Sequence, residues 1–143
     1  MEGLHILLVE DSEDDILIAK RAFKEFKVIT GVHVVMDGEE ALAFLTHSGK
    51  YVSSQPPKPA LILLDITLPL MDGFAVLRRL KADENLKKIP VVMLTTSSRE
   101  EDVQKSYAAG AASFITKPAS LPEFLAQARE FEQYWTAVSR LPA

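Results

Sequence analysis

Ala60-Leu61-Ile62-Leu63-Leu64-Asp65 is a run of five apolar residues closed by a carboxylate. A short branched apolar run of this kind marks a strand buried on both faces. Outward from it the pattern repeats. Leu4 to Val9 is a second such run and ends in Glu10-Asp11. Val91 to Leu94 is another and ends in Thr95-Thr96, and Ser113 to Thr116 is a shorter one followed by Lys117-Pro118. Val32 to Met36 completes the set. Amphipathic stretches alternate with these runs. Glu13 to Phe26 places Ile16, Ala19, Phe23 and Phe26 on one helical face and Lys20, Arg21 and Lys24 on the other, with acids in its first turn. Glu39 to His47, Phe74 to Ala82 and Glu100 to Ala109 follow, and a final helix begins at Leu121. Five strands alternating with five helices predict an α/β fold with a parallel sheet, and right-handed crossovers favour a doubly wound one with helices on both faces. Ser48 to Pro59, with Gly49, Pro56, Pro57 and Pro59, reads as an extended exposed loop inside one domain.

Composition narrows the function. The 143 residues suit a single domain spanning 1–143. With no cysteine, a disulfide scaffold, a thiolate metal site and thiol catalysis are excluded. A hydrophobic share of 48% with 25% charged residues excludes wholesale disorder. The net charge of −4 offers no basic face for nucleic acid. No apolar run approaches the ~20 residues that span a bilayer. Met1-Glu2-Gly3 does not open a signal peptide, so a cytoplasmic location and no membrane partner are expected.

Ligands of doubly wound sheets bind at the carboxyl ends of the strands. Glu10, Asp11 and Asp65, the hydroxyls of Thr95 and Thr96, and the ammonium of Lys117 therefore converge on one rim. Crowded carboxylates repel one another unless a cation sits among them, and a hard ion such as Mg²⁺ takes oxygen ligands. A carboxylate is also a competent nucleophile towards a phosphoryl group. The phosphoryl oxygens then need positive charge and a donor, which the cation, Lys117 and Thr95 supply.

With these residues in place, the chain resembles the response regulator receiver domains of two-component signalling. The matching pieces are Val9-Glu10-Asp11, the segment from Leu64-Asp65 through Pro69 to Met71-Asp72-Gly73, Ile89 to Thr95, Gly110-Ala111, and Phe114-Ile115-Thr116-Lys117-Pro118. The separations of 30 positions from Asp65 to Thr95 and 22 from Thr95 to Lys117 match as well. The resemblance implies a flavodoxin-like five-stranded sheet of order 2-1-3-4-5. It implies Asp65 as the phosphoacceptor for a histidine kinase or phosphotransfer protein. Glu10, Asp11, Asp65 and the backbone carbonyl of Thr67 would hold Mg²⁺. Lys117 would pair with the phosphoryl oxygens, a cis bond before Pro118 would aim it, and Thr95 with Phe114 would form the switch. Thr96 stands where a smaller residue is frequent in the family and Thr67 where the side chain helps set phosphoryl lifetime, and both bear on turnover rate. The long loop, Leu94-Thr95-Thr96-Ser97 and the lack of an output domain are most similar to small regulators partnered with bacterial phytochrome or hybrid kinases.

Several residues have plainer readings. Glu13, Asp14 and Asp15 are helix N-terminal charges, with Ser12 and Asp15 resembling a capping box. Asp72-Gly73 is a turn and helix start. His5, His33 and His47 share no ligand spacing and read as structural or surface residues. Phe131, Tyr134, Trp135 and Val138 extend the last helix, and with it predict a homodimer through helix five. Among other functions, a phosphatase with an aspartyl nucleophile would need an acid two residues after Asp65, where Thr67 stands. A nucleotide or flavin binder would need a glycine-rich cradle, and the six glycines form none. The expected protein is a stand-alone phosphoryl-accepting switch, not a turnover enzyme, that changes its helix four, strand five and helix five surface.

Overall fold

The computed structural model describes residues 4–26, 29–95, 104–105, 107–111 and 113–116, with 122, 126 and 129 besides. Strand β1 (Leu4–Val9) leads to helix α1 (Glu13–Phe23), then β2 (Ile29–Val35) and α2 (Gly38–Thr46). Strand β3 (Leu61–Asp65), helix α3 (Gly73–Ala82), β4 (Val91–Thr95) and β5 (Ser113–Thr116) follow. The strands are parallel and lie in the order β2-β1-β3-β4-β5. Residues 104, 105, 107 and 108, and 122, 126 and 129, are helical. Ala109, expected to end the first of these helices, is instead a turn, and the other residues of the two expected helices lie outside the described residues.

All five residues of β3 are buried, which follows from its place between β1 and β4. Successive residues of a strand point to opposite faces. Leu7, Val9, Ile62, Leu64, Val91 and Met93 therefore meet α2 and α3 in one core, through Phe44, Phe74, Val76, Leu77 and Leu80. Ile6, Leu8, Leu61, Leu63, Val92 and Leu94 meet Ala19, Ala22 and Phe23 of α1 in the other. Each fully buried leucine or valine contributes about 1.5–3 kcal/mol, so the sheet is anchored from both sides.

Several details depart from the sequence reading, and β2 starts three residues earlier than expected, at Ile29, and stops at Val35. Helix α1 ends at Phe23, because Lys24 and Glu25 turn, although Phe26 still reaches the core. Half of the expected capping box forms: Ser12 Oγ accepts from Asp15 N at 3.3 Å, but the Ser12 N–H goes to Glu10 Oε1 at 3.1 Å. The segment from Ser48 to Pro59 is not wholly irregular. It opens with a one-turn 3₁₀ helix, Gly49–Tyr51, tied to α2 by Glu40.

His5 and His33, read as unrelated, touch. His5 Nδ1 lies 3.1 Å from His33 Nε2 across β1 and β2. Burial pushes the His33 imidazole below its ordinary range, and His5 beside it acts in the same direction. His47 is elsewhere, at the left-handed end of α2, bonded to Pro56 O at 2.7 Å.

Candidate metal and phosphoryl site

The carboxyl end of the sheet is where side chains replace core packing. Glu10 follows β1 directly, and its N–H still bonds to Val35 O at 3.0 Å, so the ladder with β2 fixes its backbone. Asp65 is the last residue of β3 and lies opposite Leu94 of β4. The next N–H, of Ile66, bonds to Leu94 O at 2.9 Å. Two strand ends held by their neighbours thus set two carboxylates in place before any side-chain contact is counted.

Glu10, Asp11 and Asp65 each bring a carboxylate oxygen within 4.8 Å of the other two. Glu10 and Asp65 are almost fully buried, at 1% and 3% exposure, while Asp11 is open to solvent. Buried carboxylates are costly unless opposite charge or donors compensate them. Part of that compensation is visible in the Ser12 N–H on Glu10 Oε1 and the Thr67 N–H on Asp65 Oδ1 at 3.2 Å. Three oxygens converging from a half-open rim are also a donor set that would suit a hard divalent cation, with Asp11 the member open to solvent.

Thr95 ends β4, one residue past the partner of Asp65, and is buried at 3% exposure. Thr67 lies exposed at the start of the connection to α3. Phe114 lies on β5 opposite Met93, and its side chain is outside the described residues. Lys117, Pro118 and its expected cis bond, Thr96, and Phe131 and Trp135 of the expected helix-five surface lie outside them too.

Gly73 is the site residue whose role the sequence concealed. It reads as a turn glycine, and Asp72 does cap α3 by accepting from Ala75 N at 2.9 Å. A Cβ on Gly73, however, would collide with the carbonyl oxygen of Asp65 and come within 2.8 Å of Ile66 Cα. The start of α3 therefore rests on the backbone of Asp65. No local pattern announces such a contact, because it depends on how the chain doubles back over eight residues.

The carboxyl-end acidic cluster on this sheet has known counterparts. The family model for the response regulator receiver domain matches residues 6–129. The chain is 40% identical over 138 residues to response regulator Rcp1 of Synechocystis sp., covering 96% of this chain and 92% of that protein. The crystal structure of the phosphorylated cyanobacterial phytochrome response regulator RcpA superposes with a TM-score of 0.88 at 39% identity, over 99% of this chain and 100% of that one. The Mn(2+)-bound form of Rcp1 does so with a TM-score of 0.84 at 39% identity, over the same shares of the two chains. Receiver domains bind a divalent metal, and the triad of Glu10, Asp11 and Asp65 stands ready for one here. Sheet, acidic triad and family match agree, and this chain belongs to the response regulator receiver domain family of two-component signalling.

Proposed function

We propose that residues 1–143 form a single receiver domain that accepts a phosphoryl group on Asp65 from a sensor histidine kinase or a phosphotransfer protein. The observation that carries this reading is the convergence of the Glu10, Asp11 and Asp65 carboxylates at the end of the central strand. Likeness to a phytochrome response regulator supports a light-sensing or hybrid kinase as donor. An Asp65 carboxylate oxygen bonds to phosphorus while the bond from phosphorus to the donor imidazole nitrogen breaks, and the imidazole leaves. Glu10, Asp11, Asp65 and the Thr67 backbone carbonyl would hold Mg²⁺, which would supply positive charge at the phosphoryl oxygens. Thr95 offers its hydroxyl to those oxygens and Lys117 its ammonium. Thr95 with Phe114 then shifts the helix-four, strand-five and helix-five surface between two states. The protein is a switch, with no chemistry beyond gaining and losing its own phosphoryl group, and works in the cytoplasm. Helix five, through Phe131 and Trp135, is the proposed homodimer contact.

Asp65→Asn tests the assignment with a small phosphodonor in Mg²⁺. The variant should fold and take up no label. Full labelling mapped to another residue would overturn the site. Glu10→Gln combined with Asp11→Asn should lose Mg²⁺ binding by titration and gain stability without metal, since two like charges beside Asp65 are removed.

A further inference from the structure

His5 and His33 are brought together by register alone. His5 lies opposite Gly31 and Leu7 lies opposite His33. Residues two apart on a strand share a face, so both imidazoles stand on the face that carries α2, with Gly31 between them. The facing nitrogens, His5 Nδ1 and His33 Nε2, are 3.1 Å apart, with ring centroids separated by 5.2 Å. A Cβ on Gly31 would lie 3.3 Å from the first nitrogen and 3.4 Å from the second. The missing side chain is what leaves room for them to face each other. Phe44 braces His33 from α2, ring centre to ring centre at 5.5 Å. Both histidines are half-buried, so their orientation is restrained while solvent still reaches the pair.

We propose that His5 and His33 form a two-imidazole site for a divalent transition-metal ion of the Zn²⁺, Ni²⁺ or Cu²⁺ class. The site is distinct from the carboxylate rim, which lies at the other end of β1. Imidazole suits these ions, whereas Mg²⁺ prefers oxygen, so the two sites select different metals. Two bonds of about 2.0–2.1 Å at a tetrahedral angle hold their nitrogens roughly 3.3–3.4 Å apart. The observed pair needs to open by only a few tenths of an ångström. Among the described residues no third histidine, cysteine or carboxylate joins them, so water completes the shell and the ion stays exchangeable. Binding would clip β1 to β2 and stabilise the folded chain by mass action.

The test uses the full chain with the rim saturated by Mg²⁺ and Zn²⁺ or Ni²⁺ as titrant. Wild type and Asp65→Asn should bind one equivalent alike. His5→Gln and His33→Gln should each weaken binding by about tenfold or more, the gain a second pre-positioned ligand provides. His47→Gln should not. The metal-induced rise in Tm of the wild type should vanish in both single variants. Wild-type affinity no greater than that of either variant would overturn the proposal. Should a variant not fold, imidazole NMR of the wild type decides. Metal must perturb His5 and His33 together and before His47, and any other order refutes the site.

Discussion

Residues 66–72, which lead from β3 into α3, and residues 47–60, which lead from α2 into β3, are held by different kinds of contact. The first connection is built mostly from backbone. Ile66 N bonds to Leu94 O, Met71 N to Pro69 O at 2.8 Å, and Gly73 N to Ile66 O at 2.8 Å, while α3 presses on the Asp65 carbonyl. The second joins the body at its ends by backbone, Ser48 N to Ala43 O at 2.9 Å and Ala60 N to His5 O at 2.8 Å, but its middle is anchored through side chains. Glu40 takes the Met36 N–H at 2.9 Å on one oxygen, and the Tyr51 hydroxyl at 2.9 Å and the Lys50 ammonium at 2.6 Å on the other. His47 reaches Pro56 O, and the Tyr51 ring meets Phe44 edge-on at 5.2 Å between centres. The connection beside the acidic triad thus has its shape set by peptide groups that any substitution other than proline leaves in place. The middle of the distant one depends on a few replaceable side-chain anchors.

The sharpest way to break this contrast is Gly73→Ala. Its methyl group has backbone on the far side, which cannot swing away as a side chain would. A loss of about 1–3 kcal/mol in urea unfolding is expected, with slower labelling at the proposed acceptor, because the Asp65 carboxylate moves with its peptide. Unchanged stability would show that α3 can slide freely.

Glu40→Gln should cost less, about 1 kcal/mol at neutral pH, since Lys50 is largely exposed and its attraction is screened. Burial pushes the Glu40 carboxyl up, but Lys50, the Met36 N–H and the Tyr51 hydroxyl together hold it below its ordinary value of 4.5. A carboxyl lowered in the folded state stabilises at pH above its unfolded value. That contribution fades as pH falls through the folded value. Wild type should therefore lose stability relative to Glu40→Gln on acidification below about pH 4.5, as read from paired melts. Parallel acid limbs would remove Glu40 as the anchor.

Two left-handed residues give the smaller effects. Leu70 has φ 69° and is 95% exposed, so its side chain adds nothing to the core. Leu70→Gly should stabilise by about 1 kcal/mol, visible as a higher urea midpoint, with phosphodonor labelling unchanged. His47 has φ 53°, but its ring holds Pro56 O. In His47→Gly, relief of about 0.5–1 kcal/mol is offset by loss of a hydrogen bond of similar worth, and the midpoint should barely move.

The histidine at 33 adds a pH limb of its own. Its imidazole is lowered in the folded state, so its favourable share is complete above the usual histidine range and lost as pH falls through the lowered value. His33→Gln should flatten the stability profile as pH falls below the usual histidine value of about 6.5. A profile identical to wild type would show the pair to be indifferent to charge.

Much of the architecture was legible because it rests on periodicity. Branched apolar runs ending in acids announce both a strand buried on two faces and what stands at its rim, so Glu10, Asp11 and Asp65 were found as a group. The caps at Ser12 and Asp72 were legible because their hydrogen bonds span three residues. The contacts that escaped depend on register or on the chain doubling back. His5 and His33 are 28 positions apart and meet only because β1 and β2 pair as they do, with an irregularity between Leu4 and His5. Glu40 looks like any first-turn acid until residues 48–51 fold back over it. Gly73 looks like any turn glycine until Asp65 is placed behind it.

The division of the interior by the sheet bears on how the molecule opens. Among the described residues, the core under α1 and the core under α2 and α3 share strands but no side chains. Either layer of helices can then lift while the other keeps its packing, as separate cooperative units. Amide hydrogen exchange should show three tiers. The helices on each face trade protons at two independent rates, each sensitive to substitutions on its own side. The amides of β3, sealed by both layers and by strands on both edges, exchange only when the whole chain unfolds.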